Sequence, residues 1–231
     1  MKTIGVLGGL GPQATIDFEH RLHLVAQQLI PQRGNAAYPP MVSWFFRELP
    51  VLLPPGSPPP ATLPPLNPRL LDAARALGQH ADLIAMPVNG VHLWQAEIEE
   101  AAGKPVVSMI DAVLNEVQRR GYRRVGLVDF RPAAWSVYPR LLEQHEIAWV
   151  ELPDAMRNTM ASVQRAVVEG RNNDRDAAQV QQAIRLLRAA GTDGTILACT
   201  EFPLALTTKL DAYIINPAAL LAEVVVRAAL A

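Results

Sequence analysis

The sequence predicts an α/β fold of two pseudosymmetric parallel-sheet domains, with a ligand site in the cleft between them. Short apolar runs rich in Val and Ile alternate with segments of helical period. The apolar runs show no polar alternation, which is typical of parallel strands covered by helices on both faces. The same order of motifs also occurs twice, in two stretches of about 110 residues, which indicates an internal duplication.

Eight runs are predicted to be buried strands, with helices between and after them. The strands are residues 3–7, 41–46, 83–87, 106–110, 124–128, 147–151, 195–198 and 213–215. The helices are residues 14–29, 70–79, 112–120, 139–145, 176–190 and 217–231. Strand and helix therefore alternate along the chain, as they do in βαβ proteins.

The duplication predicts which positions of the two halves are equivalent. Each half opens with a similar strand and later presents a helix, an Asp, a strand and a polar loop. Aligning the loops matches Val88 with Cys199 and Asn89 with Thr200. The final strands then end at Ile110-Asp111 in the first half and Ile215-Asn216 in the second. Chance similarity between two βαβ stretches is the alternative explanation.

We expect the first domain to comprise residues 1–112 together with the C-terminal helix 217–231, and the second to comprise residues 113–216. Two such domains would bring the carboxyl ends of both sets of strands to one cleft, where α/β proteins bind ligands.

The composition excludes several classes of protein. Of the 231 residues, 50% are hydrophobic and 19% charged, and the formal net charge is -1. We expect no nucleic-acid partner, because such a protein needs a basic face. No apolar run reaches the roughly 18 residues of a membrane span, so we expect no membrane contact. Cys199 is the one cysteine and cannot form an internal disulfide, which favours a cytoplasmic location.

The stretch from Pro50 to Pro68 interrupts the alternation of strands and helices. It contains nine of the twenty prolines of the chain, a density that neither a helix nor a central strand tolerates. Because it follows a predicted strand, it is expected to be a loop over the site. A surface insertion without a role at the site is the alternative.

The first candidate site is the glycine-rich loop that joins the first strand to the first helix. Gly9-Leu10-Gly11 and Ala14 fit the spacing of a dinucleotide fingerprint. Pro12 removes one backbone N–H from that loop, and an acidic partner after the second strand would have to be Glu48, which is too far along. A helix N-terminus also suits a small carboxylate, which is the interpretation we favour.

Two further candidates follow predicted strands. Cys199 with its neighbours Thr200 and Glu201 is either a nucleophilic or acid–base thiol or a small buried hydrophobic residue. Asn89-Gly90-Val91-His92 offers an imidazole as an acid or base, or a histidine that merely begins a helix. The other histidines have no metal-ligand spacing, so we expect neither a metal nor a cofactor.

Taken together, these loops resemble the aspartate/glutamate racemase family of cofactor-independent enzymes. The similarity runs from Ile4 to Phe18 and from Leu197 to Leu204. Met86 to His92 lines up with a family motif that is usually Pro-Cys-Asn-Thr-Ala-His, and Ile110-Asp111-Ala112 and Asn216-Pro217 also fit. The resemblance spans essentially the whole chain.

The resemblance implies a small carboxylate or amino-acid substrate, no cofactor and a possible homodimer. In such enzymes one thiolate removes the α-proton while an opposing thiol delivers a proton to the other face. For this chain it implies catalysis by Cys199, with His92 as a candidate partner. It also implies substrate contacts from Gly9, Leu10, Gly11, Asn89, Gly90, Thr200 and Glu201.

The chain departs from this pattern at the expected ligand contacts. Val88 replaces the first cysteine, and Gly90 replaces a threonine. Phe45-Phe46 stands where a polar Ser-Asn turn is usual, and we expect both rings in the pocket. Asp129-Phe130-Arg131-Pro132-Ala133 replaces a threonine-containing turn.

Three hypotheses remain open. In the first, the chain is a racemase or isomerase in which Cys199 is one base and a second group, such as His92 or water, is its partner. In the second, it is a single-thiol enzyme that protonates one face of the substrate, as arylmalonate-decarboxylase-like relatives do. The third hypothesis is a non-catalytic module that binds a small carboxylate.

Overall fold

The structure, a computed structural model, describes residues 1–34, 36–52, 63–206 and 210–231. Its strands are β1 (Ile4–Gly8), β2 (Met41–Phe45), β3 (Leu83–Ala85), β4 (Val106–Val107), β5 (Arg124–Val128), β6 (Ala148–Glu151), β7 (Gly194–Leu197) and β8 (Ile214–Ile215). Its helices are α1 (Pro12–Leu29), α2 (Pro68–Gly78), α3 (Gln95–Ala102), α4 (Met109–Arg119), α5 (Tyr138–Gln144), α6 (Asp154–Val168), α7 (Asp174–Ala189), α8 (Phe202–Ala205) and α9 (Pro217–Leu230). Two short 3₁₀ helices span Gly90–Trp94 and Ala133–Trp135.

The strands form two parallel four-stranded sheets with the same strand order. The first sheet runs β2-β1-β3-β4 and the second β6-β5-β7-β8. In β1, Gly5 pairs with Ile84 of β3, and in β5, Gly126 pairs with Thr195 of β7. Ile84 and Thr195 are therefore equivalent in the two sheets. Counting four residues on from each matches Val88 with Cys199. The structure therefore confirms the duplicated α/β fold. The register of the strands gives the alignment of the two halves.

Helices cover both faces of each sheet because successive strand side chains point to opposite faces. On the first sheet, Leu7 packs against α2 and α3, whereas Val6 packs against α1 and α9. On the second sheet, Val128 packs against α6, α7 and α8, whereas Leu127 packs against α4 and α5. Among the described residues, this packing forms four apolar clusters, two on each sheet.

The last helix of each half crosses towards the other half. Val225 of α9 packs with Phe18 against the first sheet, although α9 follows the second sheet in the chain. Val113 of α4 packs with Val125 against the second sheet. Helix α9 thus packs on the first sheet and α4 on the second. The proposed domains, residues 1–112 with 217–231 and residues 113–216, stay a prediction.

Three predictions for individual strands were wrong. The run 147–151 was expected to be buried, but β6 is an edge strand and none of its four residues is buried. The run 41–46 was expected to be buried, but β2 is an edge strand with Val42 37% and Trp44 44% exposed. The run 106–110 contains only a two-residue strand, because Ser108 caps α4 by accepting a hydrogen bond from the Asp111 N–H. Ile110-Asp111 therefore lies in a helix.

The correct partner of Asn216 in the other half is Ser108. Val106 pairs with Ile84 in one sheet, and Ile214 pairs with Thr195 in the other. Asn216 caps α9 by accepting from the Ala218 N–H, as Ser108 caps α4. Both halves thus end with a strand, a polar N-cap and a helix that crosses to the other half.

The proline-rich stretch lies partly outside the described residues, which lack 53–62. Its predicted role as a lid or insertion therefore concerns residues that the structure does not describe. The flanking Val51 and Leu66 pair in an antiparallel bridge, and the Trp94 Nε1–H donates to the Pro64 carbonyl at 3.0 Å. In the described portion of the chain, no helix is long and apolar enough to cross a membrane.

Candidate active site

A cavity of about 210 Å³ opens at the carboxyl ends of the central strands of both sheets. Loops from both halves line it, following β1, β3, β5 and β7. This position agrees with the rule that parallel α/β sheets bind ligands at their carboxyl edge. Its lining residues are Leu10, Pro50, Val51, Val88, Asn89, Gly90, Val91, Leu93, Trp94, Phe130, Arg131, Trp135, Gln164, Ala198, Cys199, Thr200 and Glu201.

Cys199 lies directly after β7 and is 8% exposed. Its thiol donates a hydrogen bond to Oε2 of Glu201 at 2.9 Å, and the Thr200 hydroxyl donates to the same oxygen at 3.3 Å. Burial raises the pKa of the Cys199 thiol well above its ordinary value, and the Glu201 carboxylate raises it further, against a smaller effect of Arg131. The thiol is therefore protonated at neutral pH, contrary to the low pKa that a catalytic thiolate leads one to expect.

The glycine-rich loop brings the two halves together. Gly9 has a φ of +86°, and a Cβ there would lie 2.5 Å from the Phe46 backbone nitrogen. A Cβ on Gly11 would overlap Oε1 of Glu201. The glycines thus allow close approach of α1 to β2 and to the Cys199 turn. Of the three loop residues predicted to bind substrate, only Leu10 lines the cavity.

Asn89 follows β3 and is 2% exposed. Its Oδ1 accepts a hydrogen bond from the Tyr138 hydroxyl, which comes from the other half. Burial raises the pKa of Tyr138 well above its ordinary value, so the phenol keeps its proton. The Asn89 Nδ2 has no partner among the described residues, which leaves its N–H groups free for a ligand in the cavity that Asn89 lines.

His92 does not line the cavity. Its Nδ1 lies 3.0 Å from the Val88 carbonyl, and its Nε2 accepts from the Met109 N–H at 3.2 Å. Burial lowers its pKa to about 4, and hydrogen bonds to the Val88 and Asn89 carbonyls offset this only in part. His92 is therefore neutral at pH 7, with both ring nitrogens engaged by the backbone. This geometry does not fit the acid–base role expected for it.

Arg131 is a cavity residue that the sequence predictions missed. Its Nε and Nη2 pair with the Asp129 carboxylate at 3.0 and 3.2 Å, and Nη2 also donates to the Ala198 carbonyl at 2.9 Å. The signal was present in the unusual turn after β5, where two charged residues flank Phe130. Nothing in that turn indicated that the guanidinium would reach the loop after β3.

The aromatic walls of the cavity also differ from the expectation. Phe46 is buried in the first apolar core and Phe45 stacks with Arg47, and neither ring lines the cavity. Trp94, Phe130 and Trp135 line it instead. The expectation that Phe45 and Phe46 lie in the pocket does not hold for this cavity, because both rings pack outside it.

The sequence model of the Asp/Glu/Hydantoin racemase family matches residues 7–225. The chain belongs to this family. Within the described part of the racemase-family chain, no group of three His, Cys, Asp or Glu side chains is placed to hold a metal ion. In this member of the family, Val88 and Cys199 lie at equivalent strand ends of the cavity.

One curated protein resembles this chain in sequence, and two solved structures resemble it in fold, all at low sequence identity. The broad specificity amino-acid racemase RacX of Bacillus subtilis is 23% identical over 146 residues, which cover 61% of this chain and 60% of that protein. An aspartate racemase homologue from Pyrococcus horikoshii OT3 superposes with a TM-score of 0.74 at 23% identity and covers all of both chains. The Picrophilus torridus aspartate racemase gives 0.75 at 20% identity, over 99% of this chain and 94% of that one.

Proposed function

We propose that this chain is a cofactor-independent, racemase-type amino-acid isomerase in which Cys199 exchanges the α-proton of a small carboxylate substrate on one face. The observation that carries the proposal is the hydrogen bond from the Cys199 thiol to Glu201, inside a cavity built from the strand ends of both halves. A thiol with a carboxylate acceptor can change its protonation state in place, as general acid–base catalysis requires.

Glu201 accepts the proton of the Cys199 thiol through the 2.9 Å hydrogen bond. The resulting thiolate takes the α-proton of the substrate, and the C–H electron pair moves into the substrate carboxylate. Backbone and side-chain N–H groups around the cavity stabilise the added negative charge. Glu201 exchanges its proton with solvent and then with the proton on the thiol, through the same hydrogen bond. The thiol therefore returns a solvent-derived proton to the same carbon. The thiolate left behind takes back a proton from Glu201, which restores the resting pair.

The opposite side of the site determines the stereochemical result. Val88 occupies the position equivalent to Cys199 and cannot carry a proton. A missing acid–base partner costs about 10²- to 10⁴-fold. The expected reaction is therefore exchange of the α-proton with retention, much faster than inversion.

A second candidate function is decarboxylation of a malonate-type acid followed by protonation on one face. The raised pKa of Cys199 favours it, because the resting thiol is an acid rather than a base. In this reaction the bond between the α-carbon and one carboxyl group breaks, and carbon dioxide leaves. The electron pair stays on the α-carbon, takes the proton from Cys199, and the thiolate recovers a proton from solvent.

Proton NMR in D₂O tests both candidates with wild type and Cys199→Ala. The substrates are L- and D-amino acids with polar and apolar side chains, and substituted malonates. Val88→Ala is the matched control, since it also removes side-chain volume from the same cavity without removing a thiol.

The outcomes separate the hypotheses. Loss of the α-proton signal from one enantiomer without inversion, abolished by Cys199→Ala and kept by Val88→Ala, supports the first function. Deuterium in a decarboxylated product supports the second. Inversion of both enantiomers at equal rates contradicts one-face exchange. Ligand binding without any exchange or decarboxylation contradicts both and leaves a binding module.

A further inference from the structure

We propose that Arg131 binds the substrate carboxylate through Nη1 and that the cavity selects a monocarboxylate with an apolar side chain. The inference deepens the first proposed function, on which it rests for the identity of the site, and argues against the second, whose malonate-type substrate has two carboxylates. It depends on the contact between Arg131 and Gly90, on the hydrogen bonds of the guanidinium, on Asn89 and on the charges around the cavity.

Gly90 provides the space that the Arg131 guanidinium occupies. A Cβ at residue 90 would lie 2.6 Å from Nη1 and 3.9 Å from Cζ of Arg131. Apart from its chain neighbours and the backbone of its own helix, it would contact no other described residue within 4 Å. The φ of Gly90 does not fall in the left-handed range, so its backbone conformation does not require glycine. Glycine at residue 90 therefore leaves the space that the Arg131 guanidinium occupies.

Three of the four donor groups of Arg131 are engaged inside the protein. The backbone N–H, Nε and Nη2 donate to Asp129, and Nη2 also donates to the Ala198 carbonyl. Nη1 makes no hydrogen bond with the described residues, although Arg131 lines the cavity. The guanidinium also lies 5.4 Å from the centre of the Phe130 ring, so its position is fixed before a ligand binds.

The guanidinium stays charged in this position. Burial alone would lower the pKa of Arg131, and the Asp129 carboxylate more than reverses this effect. A fixed cation with an unused pair of N–H donors suits one carboxylate oxygen.

Asn89 supplies a second donor beside Gly90. Its Nδ2 is buried without a partner, while its Oδ1 is held by the Tyr138 hydroxyl. A buried unpartnered amide is costly unless a ligand satisfies it. Arg131 and Asn89 together offer donors for the two oxygens of a single carboxylate.

The remaining charges argue against a dicarboxylate such as aspartate. Arg131 is the one cationic side chain among the described residues that line the cavity, and Glu201 adds a negative charge. A second carboxylate would lack a cation and would face Glu201, whereas an ammonium group would be attracted to it. Elsewhere the walls are mostly apolar, including Leu93, Trp94 and Trp135, which suits an apolar side chain.

Isothermal titration calorimetry in a Cys199→Ala background tests the inference, because that variant binds without chemistry. The ligands are L- and D-leucine, the corresponding leucinamides, which lack the carboxylate charge, and L-aspartate. We expect leucine of one configuration to bind about tenfold more tightly than its amide and than aspartate. Arg131→Lys keeps a charge beside Asp129, yet should weaken leucine binding about tenfold while leaving leucinamide nearly unchanged.

Gly90→Ala provides the reciprocal test. The added methyl group displaces Nη1 and should weaken leucine binding about as much as Arg131→Lys. In the Arg131→Lys background it should have little further effect, because the displaced group is already absent. Arg188→Lys is the matched control, since Arg188 also pairs with an aspartate and stacks on an aromatic ring, outside the cavity.

Additive effects of Gly90→Ala and Arg131→Lys, equal losses for leucine and leucinamide, or tighter binding of aspartate than of leucine would overturn the inference. So would failure of both leucine enantiomers to bind while thermal unfolding shows a folded protein. Binding that depends on Arg131 in a protein without proton exchange would contradict the proposed function alone. Exchange in wild type that Arg131→Lys leaves unchanged would contradict the carboxylate anchor alone.

Discussion

The Glu201 carboxylate lies directly against Gly11, with Oε1 in the space that a Cβ at residue 11 would need. Its other oxygen, Oε2, accepts the hydrogen bond from the Cys199 thiol at 2.9 Å. The amino end of α1 in one half thus limits where the acid–base partner of the other half can lie. The glycine-rich loop acts on the thiol through Glu201, which explains why Gly11 matters to the cavity although it does not line it.

Gly11→Ala should disturb the thiol although residue 11 does not itself line the cavity. Residue 11 has a φ of -133°, which alanine adopts readily, so the main effect is displacement of the Glu201 carboxylate. A shift of about 1 Å in a catalytic group can cost about 100-fold in rate. The measurement is α-proton exchange by NMR, with thermal unfolding as the check on folding. A Gly11→Ala protein with wild-type exchange would contradict the role given to Glu201.

Glu201→Gln should change two properties of Cys199 in opposite directions. Glutamine cannot accept the thiol proton, so exchange should fall by about 10²- to 10⁴-fold. Loss of the negative charge lowers the pKa of Cys199, which the carboxylate raises. The rate of alkylation by iodoacetamide at pH 8 should therefore increase.

Alkylation of the wild-type thiol over a range of pH provides the control for that result. Because the pKa of Cys199 is raised, alkylation should be slow at pH 7 and should still be increasing above pH 9. A thiol that reacts at pH 7 faster than free cysteine would contradict the hydrogen-bonded, protonated state.

Much of the fold was predictable because strands buried on both faces leave an unbroken apolar run. Residues 124–128 were predicted as a strand and form β5 with the same bounds. The run 106–110 was misread because an apolar run continues from a strand into a helix, and only the Ser108 cap marks the boundary. The exposure of β2 depends on its place at the sheet edge, which local sequence does not reveal.

Residues that line the cavity could be predicted where they are adjacent in one loop. They could not be predicted where the contact is between two loops. Cys199, Thr200 and Glu201 are adjacent in sequence, and all three line the cavity. Gly90 and Arg131 belong to different halves, and their contact depends on how the two sheets are arranged. His92 could not be assigned from sequence, because only the structure shows that the backbone engages both ring nitrogens.

His92 should make the stability of the protein depend on pH. Its pKa falls from 6.5 to about 4 on folding, so the folded state disfavours the charged imidazole. The stabilisation is fully present above about pH 6.5 and is lost as the pH falls towards 4. Between pH 7.5 and pH 5 the free energy of unfolding should fall by about 2 kcal/mol from this residue alone.

Urea unfolding of wild type and His92→Gln at both pH values measures this effect. The variant should be less stable at pH 7.5, since it loses the bonds to Val88 and Met109, and should lose less stability on acidification. Equal losses in the two proteins would mean that His92 is not the titrating group. We also expect His92→Gln to keep more than a small fraction of the wild-type rate of α-proton exchange, because His92 does not line the cavity.

Val88→Cys should supply the acid–base group that the first half lacks. Val88 is only partly buried and lines the same cavity as Cys199 at the equivalent strand end. A thiol there can protonate the face opposite Cys199, so inversion should rise by about 10²- to 10⁴-fold relative to wild type. Chiral chromatography after incubation of each leucine enantiomer measures it.

Val88→Ser, of similar size but without a thiol, should not gain inversion. If Val88→Cys exchanges the α-proton as wild type does and still gives no inversion, residue 88 does not face the substrate from the opposite side, and the pseudosymmetric assignment of the two positions fails.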